Sequence, residues 1–191
     1  IAVLVAVLKS GDLPELKQSV AEAMINNETS FFRDQANFAL MTGPVLDAIW
    51  HRNQASRKLR IWCSACSTGQ EAYSIAMSIC ENAEKWAGWD IQIHATDISS
   101  LALEKARKGS FSQLEIQRGL PVGLMLRYFS QEGEAWAANE KLRKMVRFAK
   151  HNLLQQTPFP IRFDLVLCRN MLMYLSEERR NVVLAHLADS L

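Results

Sequence analysis

A loop of small residues, 64–69, is the stretch of this 191-residue chain whose composition and position best suit a ligand. A short apolar run, 59–63, precedes the loop, and a helical pattern that carries Tyr73, Ile75 and Met77 follows it. This order predicts a strand, a tight turn and a helix. In an open α/β sheet such a turn lies at the carboxyl end of a strand, where small side chains let the backbone approach a ligand and free helix amides point at it. The shape is that of a cofactor cradle, and the alternative is an ordinary turn with an N-cap.

The loop departs from two common nucleotide-binding motifs. Gly69 is its only glycine, which excludes the GxGxxG of nicotinamide enzymes, and no Gly-Lys-Ser/Thr follows, which excludes a P-loop. Cys63 and Cys66 have the spacing of zinc ligands, but the four cysteines of the chain include no second such pair to complete a site of four ligands. We therefore expect no bound metal and reduced thiols.

An acid ends the next predicted strand, which alternates in character over 91–97. A carboxylate at the tip of the strand beside the cradle suits the 2′ and 3′ hydroxyls of a ribose, because it accepts a hydrogen bond from both. This interpretation assigns Asp97 to a ribose. The alternative is that Asp97 caps the helix that the pattern predicts over 101–108.

The elements that must hold these residues alternate between strand and helix, as in an α/β fold. Strands are predicted at 59–63, 91–97, 146–149 and 163–168, and the continuous apolar run of the last one predicts that it is buried. No element is predicted between 109 and 129. Helices are predicted at 13–24 with Asp12 as the cap, at 35–53 with an interruption by a Gly-Pro pair, from 70 to 82–87, at 101–108 and at 177–191.

Five short strings resemble, in order, the motifs of one protein family. Residues 66–74, CSTGQEAYS, resemble the first cofactor-loop motif of the CheR-type chemotaxis protein methyltransferases, in which proline is common at Ala72 and an acid is frequent at Gln70. The other strings are NETSFFR at 27–33, ATDIS at 95–99, NLL at 152–154 and CRNMLMY at 168–174. Taken alone, NETSFFR is equally consistent with a turn in which Thr29 or Ser30 caps the next helix.

The resemblance implies a fold and a division of the chain. The implied fold is the Rossmann-like α/β core of a class I methyltransferase at 58–191, with a small antiparallel β subdomain inserted at 109–145. A partial N-terminal helical segment and linker, 1–57, carries NETSFFR and precedes this core. Because the chain begins without Met and ends inside a helical pattern, we expect it to be truncated at both ends.

The resemblance also implies an activity. S-adenosylmethionine is the implied cofactor and S-adenosylhomocysteine the product. The implied substrates are glutamate side chains in the cytoplasmic signalling helices of methyl-accepting chemotaxis receptors, which become γ-methyl esters. Glutamate has an ordinary pKa of about 4.3 and is already an anionic nucleophile at neutral pH. The enzyme's task is then to position the carboxylate in line with the methyl group and to exclude water, without a general base.

Ten residues take roles from the resemblance. Arg33 and Tyr174 are the predicted catalytic residues, because the forked guanidinium of Arg33 suits the substrate carboxylate and Tyr174 would donate from its hydroxyl or line the methyl path. Glu71 suits the ammonium of the cofactor's methionine part, and Asp97 suits its ribose. The predicted cofactor-binding residues are Asn27, Thr29, Arg33, Glu71, Asp97, Asn152, Leu153, Arg169 and Asn170. For Arg169 and Asn170 the alternative is that they cap the last helix.

The charge and hydropathy of the chain limit the classes of partner that we expect for it. A net charge of +2 and a pI near 8.4 require neither nucleic acid nor membrane, so we expect no nucleic-acid partner and no membrane insertion. The apolar residues 1–8 are too few to span a bilayer and lack the flanks of a signal peptide, which predicts a cytoplasmic protein. A basic run at 141–150 predicts a solvated face, or one that steers the protein towards acidic receptor helices. The short turn at 132–134 argues against docking of a receptor tail peptide.

Two other classes remain open at this point. The first is an S-adenosylmethionine-dependent methyltransferase that acts on RNA or another substrate, although the aromatic or Asn-Pro-Pro-aromatic chemistry usual in a flipped-base pocket is not found in the sequence. The second is a catalytically silent signalling module of the same fold, which binds the cofactor or a partner without turnover.

Overall fold

The computed structural model describes residues 13–157 and 159–191. The strands are β1 (Lys58–Ser64), β2 (Asp90–Asp97), β3 (Ser110–Ser112), β4 (Phe129–Glu132), β5 (Ala135–Ala138), β6 (Val146–Lys150) and β7 (Leu165–Cys168). The helices are α1 (Pro14–Met24), α2 (Gln35–Leu40), α3 (Leu46–Arg52), α4 (Gln70–Glu81), α5 (Ser100–Lys108), α6 (Gln113–Gln117), α7 (Val122–Tyr128), α8 (Glu140–Met145) and α9 (Glu177–Asp189). A π-helical turn (Met41–Val45) joins α2 to α3, and a 3₁₀ turn (Leu172–Tyr174) precedes α9.

Four strands form a parallel sheet in the order β6, β2, β1, β7. The chain adds β2 and β6 on one side of β1 and then returns to add β7 on its other side. The strand order therefore reverses beside β1, and open α/β sheets bind ligands in the crevice at the carboxyl ends of the strands at such a switch point. This parallel sheet with crossover helices is the Rossmann-like core that the resemblance implies, and the predicted fold class is confirmed.

The central strand β1 is buried on both faces from Ile61 to Ser64, as expected of a parallel strand that is covered on both sides. Ile61 and Cys63 belong to the larger core cluster, which includes most of α4. Trp62 lies on the opposite face and packs with Val183 and Leu187 of α9. Because successive side chains of a strand point to opposite faces, one short run of residues anchors both helical layers to the sheet.

A second sheet is antiparallel and lies between α5 and β6 in the chain, with the strand order β3, β5, β4. It is the small antiparallel sheet that the resemblance implies within 109–145. The helix α6 that follows β3 begins with a capping box formed by Ser112 and Glu115. The boundary between residues 57 and 58 remains a prediction.

Some predicted elements need correction. Residues 109–129 hold β3, α6 and α7, where the pattern predicts none, because elements this short carry too little periodicity to be recognised. Strand β7 begins at Leu165 and is only half-buried, since it pairs with β1 alone among the strands of the described ranges. The Gly-Pro interruption within 35–53 is the π-helical turn. The predicted cap Asp12 lies outside the described residues.

Candidate active site

A cavity of about 530 Å³ opens at the carboxyl ends of β1, β2 and β7. The loop after β1 (64–69, called the strand-end loop) and the residues before α2 (27–34, called the upstream segment) supply two of its walls. All ten residues predicted from the sequence line it: Asn27, Thr29, Arg33, Glu71, Asp97, Asn152, Leu153, Arg169, Asn170 and Tyr174. Within the described ranges, no group of three or more His, Cys, Asp or Glu side chains could hold a metal ion, and no helix is long and apolar enough to cross a membrane.

Hydrogen bonds to β2 hold the strand-end loop. The amide of Cys66 donates to the carbonyl of Thr96 at 2.9 Å, and the amide of Ser67 donates to Oδ2 of Asp97 at 2.7 Å. Ala65 and Ser67 have left-handed backbones, with φ of 53° and 52°. This conformation costs a non-glycine residue ~1–3 kcal/mol and concentrates at functional sites. Hydrogen bonds to β2 therefore hold the loop in a backbone conformation that is unfavourable for these residues on their own.

Glycine is required where this loop enters α4. Gly69 has a φ of 94°, and a Cβ there would lie 3.0 Å from Cβ of Ala106 and 3.3 Å from the ring of Phe148. Helix α5 and strand β6 thus pack directly against the turn. The single glycine of the loop is needed for its backbone conformation and for close packing.

Asp97 connects the strand-end loop to the start of α5. Its Oδ2 accepts from the amide of Ser67, and its Oδ1 accepts from the amide of Ser99 at 2.9 Å. An ionised carboxylate offers about four acceptor positions, so two remain for a ligand. The alternative, in which Asp97 caps the helix, is wrong, because the hydroxyl of Ser99 accepts from the amide of Ala102 and caps α5.

The upstream segment lies outside the sheet and is held mainly by side chains. The hydroxyl of Ser67 donates to the carbonyl of Asn27 at 2.7 Å, and the hydroxyl of Ser74 in α4 accepts from the amide of Phe32 at 3.0 Å. The ring of Phe31 is fully buried against aromatic rings of β3 and β4. The segment therefore joins the cavity wall to the antiparallel sheet.

Backbone of the antiparallel region also passes close to this segment. Gly119 has a φ of 92°, and a Cβ there would lie only 2.1 Å from the carbonyl oxygen of Phe31. The alternative in which Thr29 or Ser30 caps the next helix is wrong, because α2 begins at residue 35 and Asp34 occupies its N-cap position. The string NETSFFR thus forms a packed wall of the cavity and does not serve as a helix cap.

Two buried polar atoms of the cavity lining have no hydrogen-bond partner within the described part of the chain. They are Oδ1 of Asn27 and Nε2 of His151. Buried polar atoms of folded proteins are almost always paired. A polar ligand in the cavity would supply the missing partners.

Arg169 lies between the end of β7, the start of α4 and the upstream segment. Its Nη1 donates to Oε2 of Glu71 at 2.9 Å, and its Nη2 donates to Oδ2 of Asp34 and to the carbonyl of Arg33, both at 2.8 Å. Burial raises the pKa of the Glu71 carboxyl above its ordinary value, and the charge of Arg169 opposes that rise. The alternative in which Arg169 and Asn170 cap the last helix is wrong, because Ser176 occupies the N-cap position of α9.

Arg33 and Tyr174 lie where the cavity meets a smaller polar recess of about 40 Å³, which both of them line. Nη1 of Arg33 donates to the carbonyl of Glu28 at 3.0 Å, which leaves other N–H groups of the guanidinium for a ligand. Tyr174 is two-thirds exposed. These two side chains therefore face a region that a macromolecular substrate can reach.

The residues after β6 form the opposite end of the lining. The amide of His151 donates to the carbonyl of Asp97 at 3.0 Å, which joins this turn to the end of β2. Oδ1 of Asn152 accepts from the amide of Leu154 at 3.0 Å, so the side-chain NH₂ of Asn152 remains as a donor. Leu153 is buried and contributes apolar surface.

Sequence reasoning missed several residues that build this site, namely Asp34, Ser67, Ser74 and His151. Each lies inside or directly beside one of the matched strings, which was the only available signal. A short sequence motif does not reveal contacts with residues far along the chain. Ser74 lies 42 residues from its partner Phe32, and Asp34 lies 135 residues from its partner Arg169.

The family model described as CheR methyltransferase, SAM binding domain, matches residues 27–191. Chemotaxis protein methyltransferase Cher2 of Pseudomonas putida is 37% identical over 180 residues, and chemotaxis protein methyltransferase 1 of Pseudomonas aeruginosa is 38% identical over 180 residues. Each alignment covers 92% of this chain and 65% of the relative, so the chain spans slightly less than two thirds of their length.

One solved structure of similar fold is a TehB-like SAM-dependent methyltransferase from Corynebacterium glutamicum. It is 15% identical, with a TM-score of 0.44, over 78% of this chain and 55% of that chain.

Proposed function

Because the chain belongs to the family of CheR methyltransferase SAM-binding domains, we propose that its cavity binds S-adenosylmethionine for methyl transfer to a protein. The acceptors are glutamate side chains in the cytoplasmic signalling helices of methyl-accepting chemotaxis receptors, and the products are γ-methyl esters and S-adenosylhomocysteine. A protein that modifies these helices works in the cytoplasm.

One observation carries the proposal. Side chains from five separate strings line a single cavity at the switch point of the sheet, where this fold class binds ligands. Its volume of about 530 Å³ lies within the ~300–1,000 Å³ usual for small-molecule sites. If the five strings had unrelated structural roles, their side chains would not be expected to line the same cavity.

The donors and acceptors present fit the proposed cofactor. The remaining acceptor positions of Asp97 would receive the two ribose hydroxyls, and the partly buried carboxylate of Glu71 would hold the ammonium of the amino-acid part. The unpartnered Oδ1 of Asn27 offers one further acceptor. Asn152, with a free NH₂, and the apolar surface of Leu153 would hold the adenine.

The chain's own residues then have a positioning task. When bound, the cofactor supplies an electrophilic methyl group on a sulfonium sulfur. A substrate glutamate is already ionised at neutral pH, with an ordinary pKa of about 4.3, so no residue needs to remove a proton. Arg33 would orient the two carboxylate oxygens, Tyr174 would donate to one of them, and the apolar side chains of Met171 and Leu175 in the lining would exclude water.

Calorimetric titration with S-adenosylhomocysteine tests the cofactor site. Asp97→Ala should weaken binding by roughly a hundredfold. The substitution removes the charged acceptor for the ribose hydroxyls, and it leaves the backbone amides of Ser67 and Ser99 without the carboxylate to which they donate. Asp90→Ala is the matched control, because Asp90 lies at the opposite end of the same strand and pairs with Arg60 at the surface. It should bind as the wild type does. Absence of binding by a folded wild-type chain would contradict the proposal.

A second experiment separates the proposed activity from the alternatives. Receptor cytoplasmic fragments are incubated with the chain and S-adenosylmethionine labelled in the methyl group, and the product is treated with base. Release of labelled methanol identifies an ester. A base-stable label would point to RNA or amine methylation, and cofactor binding without transfer would point to a silent signalling module.

A further inference from the structure

Asp34 occupies the N-cap position of α2 but does not cap the helix. Aspartate at this position usually accepts from a backbone amide of the first turn. Here the residue has a left-handed backbone, with φ of 55° and ψ of 63°, and its side chain makes no capping hydrogen bond. The carboxylate is therefore directed elsewhere, in a backbone conformation that costs aspartate some stability.

The carboxylate of Asp34 binds Arg169, at a distance of 2.8 Å between Oδ2 and Nη2. The other arm of the same guanidinium, Nη1, donates to Oε2 of Glu71. Two carboxylates from different parts of the chain thus share one arginine, which is four-fifths buried. The arginine cannot turn towards one carboxylate without leaving the other.

The position of Arg169 between the two carboxylates determines which oxygen of Glu71 stays available to a ligand. Arg169 bonds only Oε2, and no described group donates to Oε1. An arginine guanidinium without competing partners frequently forms a bidentate pair with both oxygens of one carboxylate. Nη2 also donates to the carbonyl of Arg33, but Asp34 is the charged partner that draws this arm away from Glu71. Without Asp34, Arg169 could exchange that neutral acceptor for the second oxygen of Glu71 and so compete with a cationic ligand.

We propose that Asp34 is a positioning residue for the amino-acid part of the cofactor: by holding one arm of Arg169, it leaves Oε1 of Glu71 available to the ammonium group. This inference rests on the proposed function, because it needs S-adenosylmethionine in the cavity. It assigns Asp34 an effect on one portion of the cofactor and none on the adenine or the ribose.

The first test compares two ligands that differ only in that portion. S-adenosylhomocysteine carries the amino-acid part, and 5′-methylthioadenosine lacks it. Asp34→Ala should weaken binding of S-adenosylhomocysteine roughly tenfold, as expected for loss of one charge-assisted hydrogen bond at a half-exposed site, and should change binding of methylthioadenosine less than about twofold. Asp34→Asn, which keeps an acceptor for Nη2, should recover part of the loss.

Asp47→Ala is the matched control. Asp47 is also an exposed acid near the start of a short helix, and it pairs with Lys85 away from the cavity. Both affinities should stay at the wild-type values. Equal weakening of both ligands by Asp34→Ala would mean that Asp34 only supports the fold of the segment, and no change in either would leave it without a role. Each result would overturn the inference.

A second measurement uses S-adenosylhomocysteine alone. If Asp34 acts through Glu71, then Asp34→Ala should have little further effect in a Glu71→Gln background, and the two losses should not add. Fully additive losses would overturn the inference while leaving the proposed function intact. A wild-type chain that binds neither ligand would instead refute the proposed function.

Discussion

The strand-end loop and the upstream segment are two walls of the same cavity, but they are held in different ways. The loop follows a central strand, and its main-chain amides bond directly to the end of β2. The upstream segment pairs with none of the strands in the described part of the chain, and side chains of Ser67, Ser74 and Arg169 hold it. The sheet therefore fixes the position of the loop. The upstream segment depends instead on a few contacts with residues far along the chain, and a single substitution can remove each of them.

Gly119→Ala is expected to have the largest effect, because it disturbs the upstream segment through the backbone. The new Cβ would lie 2.1 Å from the carbonyl oxygen of Phe31, at a φ of 92° that alanine rarely adopts. We expect the free energy of unfolding to fall by at least ~2 kcal/mol, since the close contact adds to backbone strain. Urea unfolding measures the loss, and binding of S-adenosylhomocysteine should weaken with it.

Gly123→Ala is the control for this substitution. Gly123 lies inside α7 at an ordinary φ, and a Cβ there would meet no atom within 4 Å. Alanine should be neutral there or stabilise by ~0.5–1 kcal/mol, from its higher helix propensity. Similar losses in the two variants would show that the contact with Phe31 does not hold the segment.

Ser74→Ala is expected to have a smaller effect on the same wall. Ser74 is fully buried, and its loss leaves the amide of Phe32 without an acceptor, which should cost ~1–3 kcal/mol. Ser78→Ala, one turn later in the same helix, removes a hydroxyl that donates only to the carbonyl of Ser74 and should change stability by less than ~0.5 kcal/mol. Thermal or urea unfolding of both variants checks the difference. If Ser78→Ala were the more harmful, the segment would not depend on this hydrogen bond.

The difference between the two walls also explains what could be predicted from the sequence. The loop after β1 and the acid at the end of β2 follow from local patterns, because the carboxyl ends of adjacent parallel strands must lie side by side. The upstream segment was placed at the cavity only through its resemblance to a known string, since its contacts join residues far apart in the chain. No periodicity could show that the carboxylate of Asp34 faces Arg169 rather than its own helix.

Short elements and burial were the hardest features to predict. The helices α6 and α7 span five and seven residues, too few for a clear period of 3.6. The apolar run of β7 predicts a buried strand, but its burial depends on how many neighbours it has in the sheet, which a run of apolar residues does not specify.

Glu71→Gln is expected to have the smallest effect on stability, and its sign distinguishes a binding carboxylate from a structural one. Burial raises the pKa of Glu71, so the folded chain holds this proton more tightly than the unfolded chain. The contribution of Glu71 to stability is thus fully present below its ordinary pKa and is lost as pH rises through the raised value. Relative to wild type, Glu71→Gln should gain stability as pH rises above about 4.5 towards neutrality, and it should lose affinity for S-adenosylhomocysteine.

Glu81→Gln tests the same helix with the opposite sign. Glu81 ends α4, and hydrogen bonds from Tyr128 and Arg127 lower the pKa of its carboxyl. Its contribution is present above the ordinary pKa and is lost as pH falls, so the substitution should reduce stability at neutral pH and matter little in acid. Urea unfolding of both variants at several pH values separates the two cases. If Glu71→Gln also lost stability at neutral pH, Glu71 would serve mainly to hold Arg169 between the two walls, and its free oxygen would be a by-product of packing instead of a site kept for a ligand.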